Sequence, residues 1–175
     1  MKLSHLYTNH PTIFTPIHFR KDLNVVLARV RHPKDQQKVS HNLGKTLLID
    51  VIDFGLLKGV NRQHFLKKRS DLFADFVFYL EIQLAPGSYV TVRRSAEEAT
   101  KIAFKRHSEP HQDFTALPEN KWDHWRVAFE KAVELLDSML ALAAIKPFSY
   151  RKGVSYFLRS QADYVNVFQL SKYSS

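Results

Sequence analysis

Seven residues, Ser40-His41-Asn42-Leu43-Gly44-Lys45-Thr46, restrict the fold of this chain more than any other stretch. They end in Gly-Lys-Thr and run directly into an apolar, helix-compatible segment, Leu47-Leu48-Ile49-Asp50-Val51-Ile52-Asp53-Phe54. Ahead of them, Leu23-Asn24-Val25-Val26-Leu27-Ala28 has the composition of a strand. Strand, loop, Gly-Lys-Thr and helix is the order a phosphate-binding loop requires. Backbone N–H groups at the start of such a helix face the phosphates, and the helix dipole favours their negative charge. On this reading Ser40 to Thr46 cradle the phosphates of ATP, Lys45 reaches the outer ones, and the Thr46 hydroxyl holds a magnesium ion. The pattern departs from G-x-x-x-x-G-K-[ST] at its first position, where this chain has Val39, and Arg29 to Lys38 separate strand from loop. The alternative is a surface loop that caps a helix, with Thr46 or Asn42 near the N-cap.

A chain of 175 residues suits one domain with a sizeable core. Its 45% hydrophobic and 13% aromatic content sets it apart from disordered chains. The absence of cysteine excludes disulfides and thiolate metal sites and fits a reducing cytoplasm. Met1 to Pro11 has no apolar core of signal-peptide length, and no apolar run has the length of a membrane span. The expectation is a cytoplasmic protein with no membrane partner. A formal charge of +9 points to anionic partners such as nucleic acid, lipid or phosphorylated ligands. The basic residues are dispersed: Lys67-Lys68-Arg69, Arg93-Arg94, Lys101 with Lys105-Arg106, and Arg151-Lys152. They read as parts of a folded surface rather than as a tail.

Along the chain, Leu3 to Phe19 mixes apolar residues with Asn9, Pro11 and Pro16, which predicts short strands of an antiparallel edge. Lys45 to Leu57 is predicted helical, with Leu48, Ile49, Ile52 and Leu56 on one buried face and Gly59 as its C-terminal cap. Asn61 to Asp71 reads as a basic connector. Ala74 to Leu84, the turn Ala85-Pro86-Gly87-Ser88, and Tyr89 to Arg93 predict a β-hairpin. Ala96 to His107 fits either a strand or a helix. Ser108 to Pro118 is a loop. From Glu119 to Ile145, Trp122, Trp125, Phe129, Val133, Leu136 and Leu140 recur three or four apart and predict one helix, ended by Pro147. Val154 to Arg159 predicts a short helix and Tyr164 to Leu170 a strand. There is no internal repeat.

Other constellations fit bland roles better. Hydrolysis at a phosphate loop needs an acidic strand end that supports magnesium and orients water. Leu47-Leu48-Ile49-Asp50 has the letters but lies on the helix. Val77 to Glu81 is a strand that continues through Ile82, so Glu81 is expected to face solvent or an arginine across the hairpin. His107 and His111 are four apart, but Pro110 intervenes and no third ligand completes a metal set. Trp122, Trp125 and Phe129 suit base stacking but read first as core.

The order of these features resembles the N-terminal half of an ABC-type ATPase head of the SMC/RecF/RecN kind. More narrowly, it is similar to the start of a bacterial family of uncharacterised coiled-coil ATPases with a Ser-His-Asn-Leu-Gly-Lys-Ser/Thr loop. The likeness runs through Leu6-Tyr7-Thr8, Ile17-His18-Phe19, Leu23-Asn24-Val25, Ser40 to Thr46, Leu48 to Phe54, Leu72 to Ile82, Tyr150 to Arg159 and Asp163 to Leu170. It implies an α/β P-loop NTPase fold: a first lobe with a mixed sheet, an antiparallel hairpin, the helix after the phosphate loop and C-terminal helices. It implies that Gln169 joins Thr46 around magnesium, that DNA is a partner, and that a second, C-terminal ATPase lobe or partner subunit supplies the missing acidic and signature motifs. Residues 1–175 are then a single half-head, incomplete without that lobe, able to form homodimers and unable to hydrolyse ATP alone. The rival is a non-catalytic basic module that binds nucleic acid or a partner and carries a vestigial loop. A small nucleotide kinase would need a lid and acceptor-site arginines, which the sequence downstream of the loop does not offer.

Overall fold

Two alternating stretches joined by Pro86-Gly87 form the centre of the molecule. In the computed structural model, which describes residues 1–26, 45–141 and 149–158, they are strands β3 (Val77–Ala85) and β4 (Ser88–Ser95). Gly87 takes φ 67°, which a Pro-Gly turn permits without a Cβ penalty. Around this hairpin lie β1 (Lys2–Thr8), β2 (Ile17–His18), β5 (Lys101–His107) and β6 (His124–Ala128). The six strands are ordered β2-β1-β3-β4-β5-β6, and every pairing is antiparallel. The helices are α1 (Lys45–Gly55), α2 (Phe65–Lys68), α3 (Ser70–Phe73), α4 (Phe129–Met139) and α5 (Tyr150–Phe157).

Period-two alternation gives the sheet two distinct faces. Leu6, Leu80, Val92 and Phe104 are register partners across four strands, and Phe78, Arg94 and Ile102 across three. These point to the helix side, where Val51, Phe54, Leu56, Ala132, Leu136 and Tyr150 complete the main core. The other face carries the row Tyr7, Tyr79, Arg93 and Ala103 and the row His18, His5, Glu81 and Thr91. Phe114 and Trp122, from the segment after β5, cover part of it with Tyr7 and Tyr79 as a second cluster. The architecture is therefore mixed α/β, built on an antiparallel sheet. The hairpin and α1 lie where the sequence predicts them.

Several sequence expectations are corrected. The helix predicted from Glu119 begins only at Phe129: Glu119–Lys121 is a 3-10 turn and His124–Ala128 is an edge strand on β5. Trp125 meets the second cluster from that strand and Trp122 from the residue after the 3-10 turn, because backbone pairing with β5 outweighs a helical side-chain period. Arg126, at φ 51°, sits in a bulge where the register slips between Ile102 and Phe104. Ala96 to His107, left open by its sequence, supplies β5. The α1 cap is Leu57, not Gly59. Leu57 takes φ 60°, its N–H bonds the Phe54 carbonyl at 3.0 Å and the Lys58 N–H bonds the Asp53 carbonyl at 2.9 Å, the Schellman pattern. On α1, Val51, Phe54 and Leu57 are buried beside Ile52 and Leu56, while Leu48 and Ile49 are only half-buried. Leu23 to Val26 joins no strand, and Leu23 is 83% exposed. Among the described residues every strand pair is antiparallel, where a mixed sheet is expected; the predicted strand Tyr164 to Leu170 lies outside the described residues.

Candidate functional site

Helix α1 is described from Lys45 onward, with Thr46 next in the chain. Ser40, His41, Asn42, Leu43, Gly44 and Gln169 lie outside the described residues. The far end of α1 is held with unusual density. Arg94, 1% exposed, donates from Nη1 to the carbonyls of Phe54 at 2.7 Å and Lys58 at 2.8 Å, and from Nε to that of Ala99 at 2.7 Å. Its guanidinium lies 4.1 Å from the Phe54 ring centroid and 5.1 Å from that of Phe129. Burial pushes the Arg94 pKa down to about 9, so it stays charged at neutral pH. Tyr150 Oη and Arg151 Nη1 both donate to the Leu56 carbonyl, at 3.1 and 3.0 Å. Arg151 and Lys58 also grip Asp53 at 2.7 and 2.9 Å. Burial opposes ionisation of Asp53, but Lys58 and Arg151 outweigh it and hold the carboxyl below its usual range. Cations at the C-terminal end complement the helix dipole there. The first turn contains no acidic residue to repel an anion at the other end.

The opposite face of the sheet holds a polar cluster that the sequence reading missed. A bulge makes it: β1 pairs Leu3 with Ile82, then skips Ser4 and pairs His5 with Glu81. The extra residue turns His5 away from the helix side. Glu81 is fully buried, which overturns the expected solvent or arginine contact. It faces His5 and Thr91, while the neighbouring Arg93 stacks on Trp125, 4.7 Å from its centroid. The His111 N–H donates to Glu81 Oε1 at 3.0 Å, and His111 adopts φ 59°. Glu81 Oε2 has no hydrogen-bond partner among the described residues and lies 3.8 Å from His107 Nε2. His107 Nδ1 lies 2.7 Å from the Glu109 carbonyl, which can only accept. Nδ1 therefore carries the proton, and in the neutral ring Nε2 accepts from the Thr91 hydroxyl at 2.9 Å.

His5 has neither ring nitrogen bonded among the described residues. Burial, then the neighbouring His18, lowers its pKa to about 4, so the ring is neutral. Its ring belongs to a column: Tyr79 to Tyr7 at 4.8 Å, Tyr7 to His5 at 4.5 Å, and His5 to His18 at 4.3 Å, with planes within 24°. Burial pushes the Tyr7 phenol well above its usual range, and its Oη accepts from the Phe114 N–H at 3.1 Å. These histidines stack rather than converge. Among the described residues no group of three or more His, Asp or Glu is arranged to hold a metal ion. The signal for this face was a period-two His5, Tyr7 and Tyr79, Glu81 pattern, but the Ser4 bulge is invisible in the sequence.

Compared with family models, with curated proteins and with solved structures, the chain matches none. Among the described residues no helix is long and apolar enough to cross a membrane.

Proposed function

We propose that this chain is the ATP-binding N-terminal half of an SMC/RecF/RecN-like ATPase head that acts on DNA. The observation that carries the reading is α1: it is described from Lys45 onward, and its other end is held by Arg94 of β4 and by Tyr150 and Arg151 of α5. A phosphate site needs a helix start that does not move when the anion arrives. The first turn carries no carboxylate to repel an anion, and the cations around Asp53 fix and neutralise the far end. In this reading the backbone from Ser40 to Thr46 binds the phosphates and Lys45 pairs with the outer ones. Thr46 and Gln169 would hold magnesium. The ion would neutralise charge on the triphosphate.

The test is a titration of labelled ATP, with magnesium, into the chain and its Lys45→Ala variant. Loss of a charge-assisted contact should weaken binding by roughly 1.5–3 kcal/mol. Equal affinities would exclude the nucleotide reading and leave the non-catalytic basic module.

A further inference from the structure

We propose that the cleft between the β1–β2 edge and the loop after β5 binds a single strand of nucleic acid. This goes beyond the ATP reading, because the cleft belongs to the other side of the sheet. Leu80 packs on α1 at Gly55, whereas its strand neighbours Tyr79 and Glu81 point to the opposite face.

The cleft encloses about 620 Å³ and is lined by Lys2, His18, Arg20, Lys21, Tyr89 and His111, among others. That volume lies within the usual range of small-ligand sites, about 300–1,000 Å³, enough for a nucleotide unit. Its chemistry is lopsided. Three cations line it and no carboxylate does. Lys105, Arg126 and Lys131 each hold an acidic partner, but Lys2, Arg20 and Lys21 have none among the described residues. All three are exposed. Unpaired cations at a concave edge attract phosphates.

The second observation is the ring column. Tyr79, Tyr7 and His5 are buried, and the column emerges at His18, which is exposed. The exposed His111 sets its ring edge-on to His18, with centroids 4.4 Å apart. A column of near-parallel rings that ends beside unpaired cations is the arrangement that receives an unstacked base and its phosphate. A duplex keeps its base faces covered, so this chemistry selects a single strand. Glu81 lies behind the column, fully buried and bonded to the His111 backbone. There it fixes the loop that forms one wall.

The experiment measures fluorescence anisotropy of a labelled thymidylate 12-mer with the full chain, over a salt series. Arg20→Gln/Lys21→Gln should weaken binding and flatten the salt slope by about 0.7 per phosphate contact removed. His18→Ala should cost about tenfold through lost stacking, and Lys131→Gln, which removes an exposed cation on α4, should leave affinity unchanged. The Arg20 and Lys21 side chains are exposed, so that variant keeps the fold, checked by its urea midpoint. Unchanged affinity in both cleft variants would overturn the proposal. So would duplex DNA binding as tightly as the 12-mer, or a mononucleotide competing at equal molar concentration, which would mark a small phosphate-ester site instead. An equal loss in Lys131→Gln would also overturn it, because binding would then follow overall charge rather than the cleft. ATP affinity, measured separately, reports on α1 alone.

Discussion

His5 and His64 are two histidines whose surroundings exclude a proton. Burial and then His18 act on His5; burial, then Lys58 and Arg94, act on His64; both pKa values fall to about 4. An unfolded histidine titrates near 6.5. Between pH 6.5 and 4 the unfolded chain therefore binds protons that the folded chain refuses. Stability is complete above that window and falls as pH falls through it. Urea midpoints at pH 7.5, 6 and 5 should decline in that order, and His5→Phe, which keeps a ring in the column, should reduce the decline without abolishing it. An identical slope in the variant would show that His5 does not carry the effect. Arg94 illustrates the reverse strategy for a buried polar side chain. Its planar fork satisfies three carbonyls at once, a geometry that the single ammonium of lysine cannot copy.

At the scale of elements, α1 lies so close to β3 that one of its positions must be glycine. A Cβ on Gly55 would stand 2.9 Å from both Cβ and Cδ2 of Leu80. Leu80 Cβ is tied to the strand and cannot swing aside. Alanine gains about 1 kcal/mol of helix propensity over glycine, but overpacking a close contact costs about 1–3 kcal/mol. Gly55→Ala should therefore lower stability in urea or thermal unfolding. Gly59→Ala, where nothing lies within 4 Å, should be neutral or slightly stabilising. A more stable Gly55→Ala would mean that helix and strand are further apart. The same helix ends at Leu57 in a left-handed conformation that favours glycine. The strain, about 1–2 kcal/mol, is tolerated because Leu57 is 1% exposed, and burying a leucine gains about 1.5–3 kcal/mol.

For the whole molecule, the sheet separates two kinds of chemistry: a helix-covered apolar face with α1, and a polar, aromatic face with the histidine column. This bears on catalysis. Glu81, the strand acid nearest in pattern to a magnesium-supporting motif, lies on the face away from α1. Asp50 lies on α1 itself, about 7.5 Å along the axis from Lys45 at 1.5 Å per residue. Under the proposed function neither orients water at the phosphates, so the chain alone should bind ATP and release no phosphate above the Lys45→Ala background. Steady-state turnover at about 1 per second or more, abolished by Lys45→Ala, would overturn the half-head reading.

The elements whose signals are local were legible in the sequence. The Val77 to Ser95 hairpin follows from alternation around a Pro-Gly turn, and α1 follows from an apolar run after Gly-Lys-Thr, because both depend on residues a few positions apart. The candidate phosphate site was legible as a motif, and of it the structure describes only the α1 start at Lys45 and Thr46. The tertiary structure decided everything that depends on a distant partner. Pairing with β5 drew His124–Ala128 out of a helical period into a strand. One bulge at Ser4 put His5 opposite Glu81, and the segment after β5 buried that glutamate. Register, bulges and burial are set by contacts between residues far apart in the chain, and a period read along the chain carries no record of them.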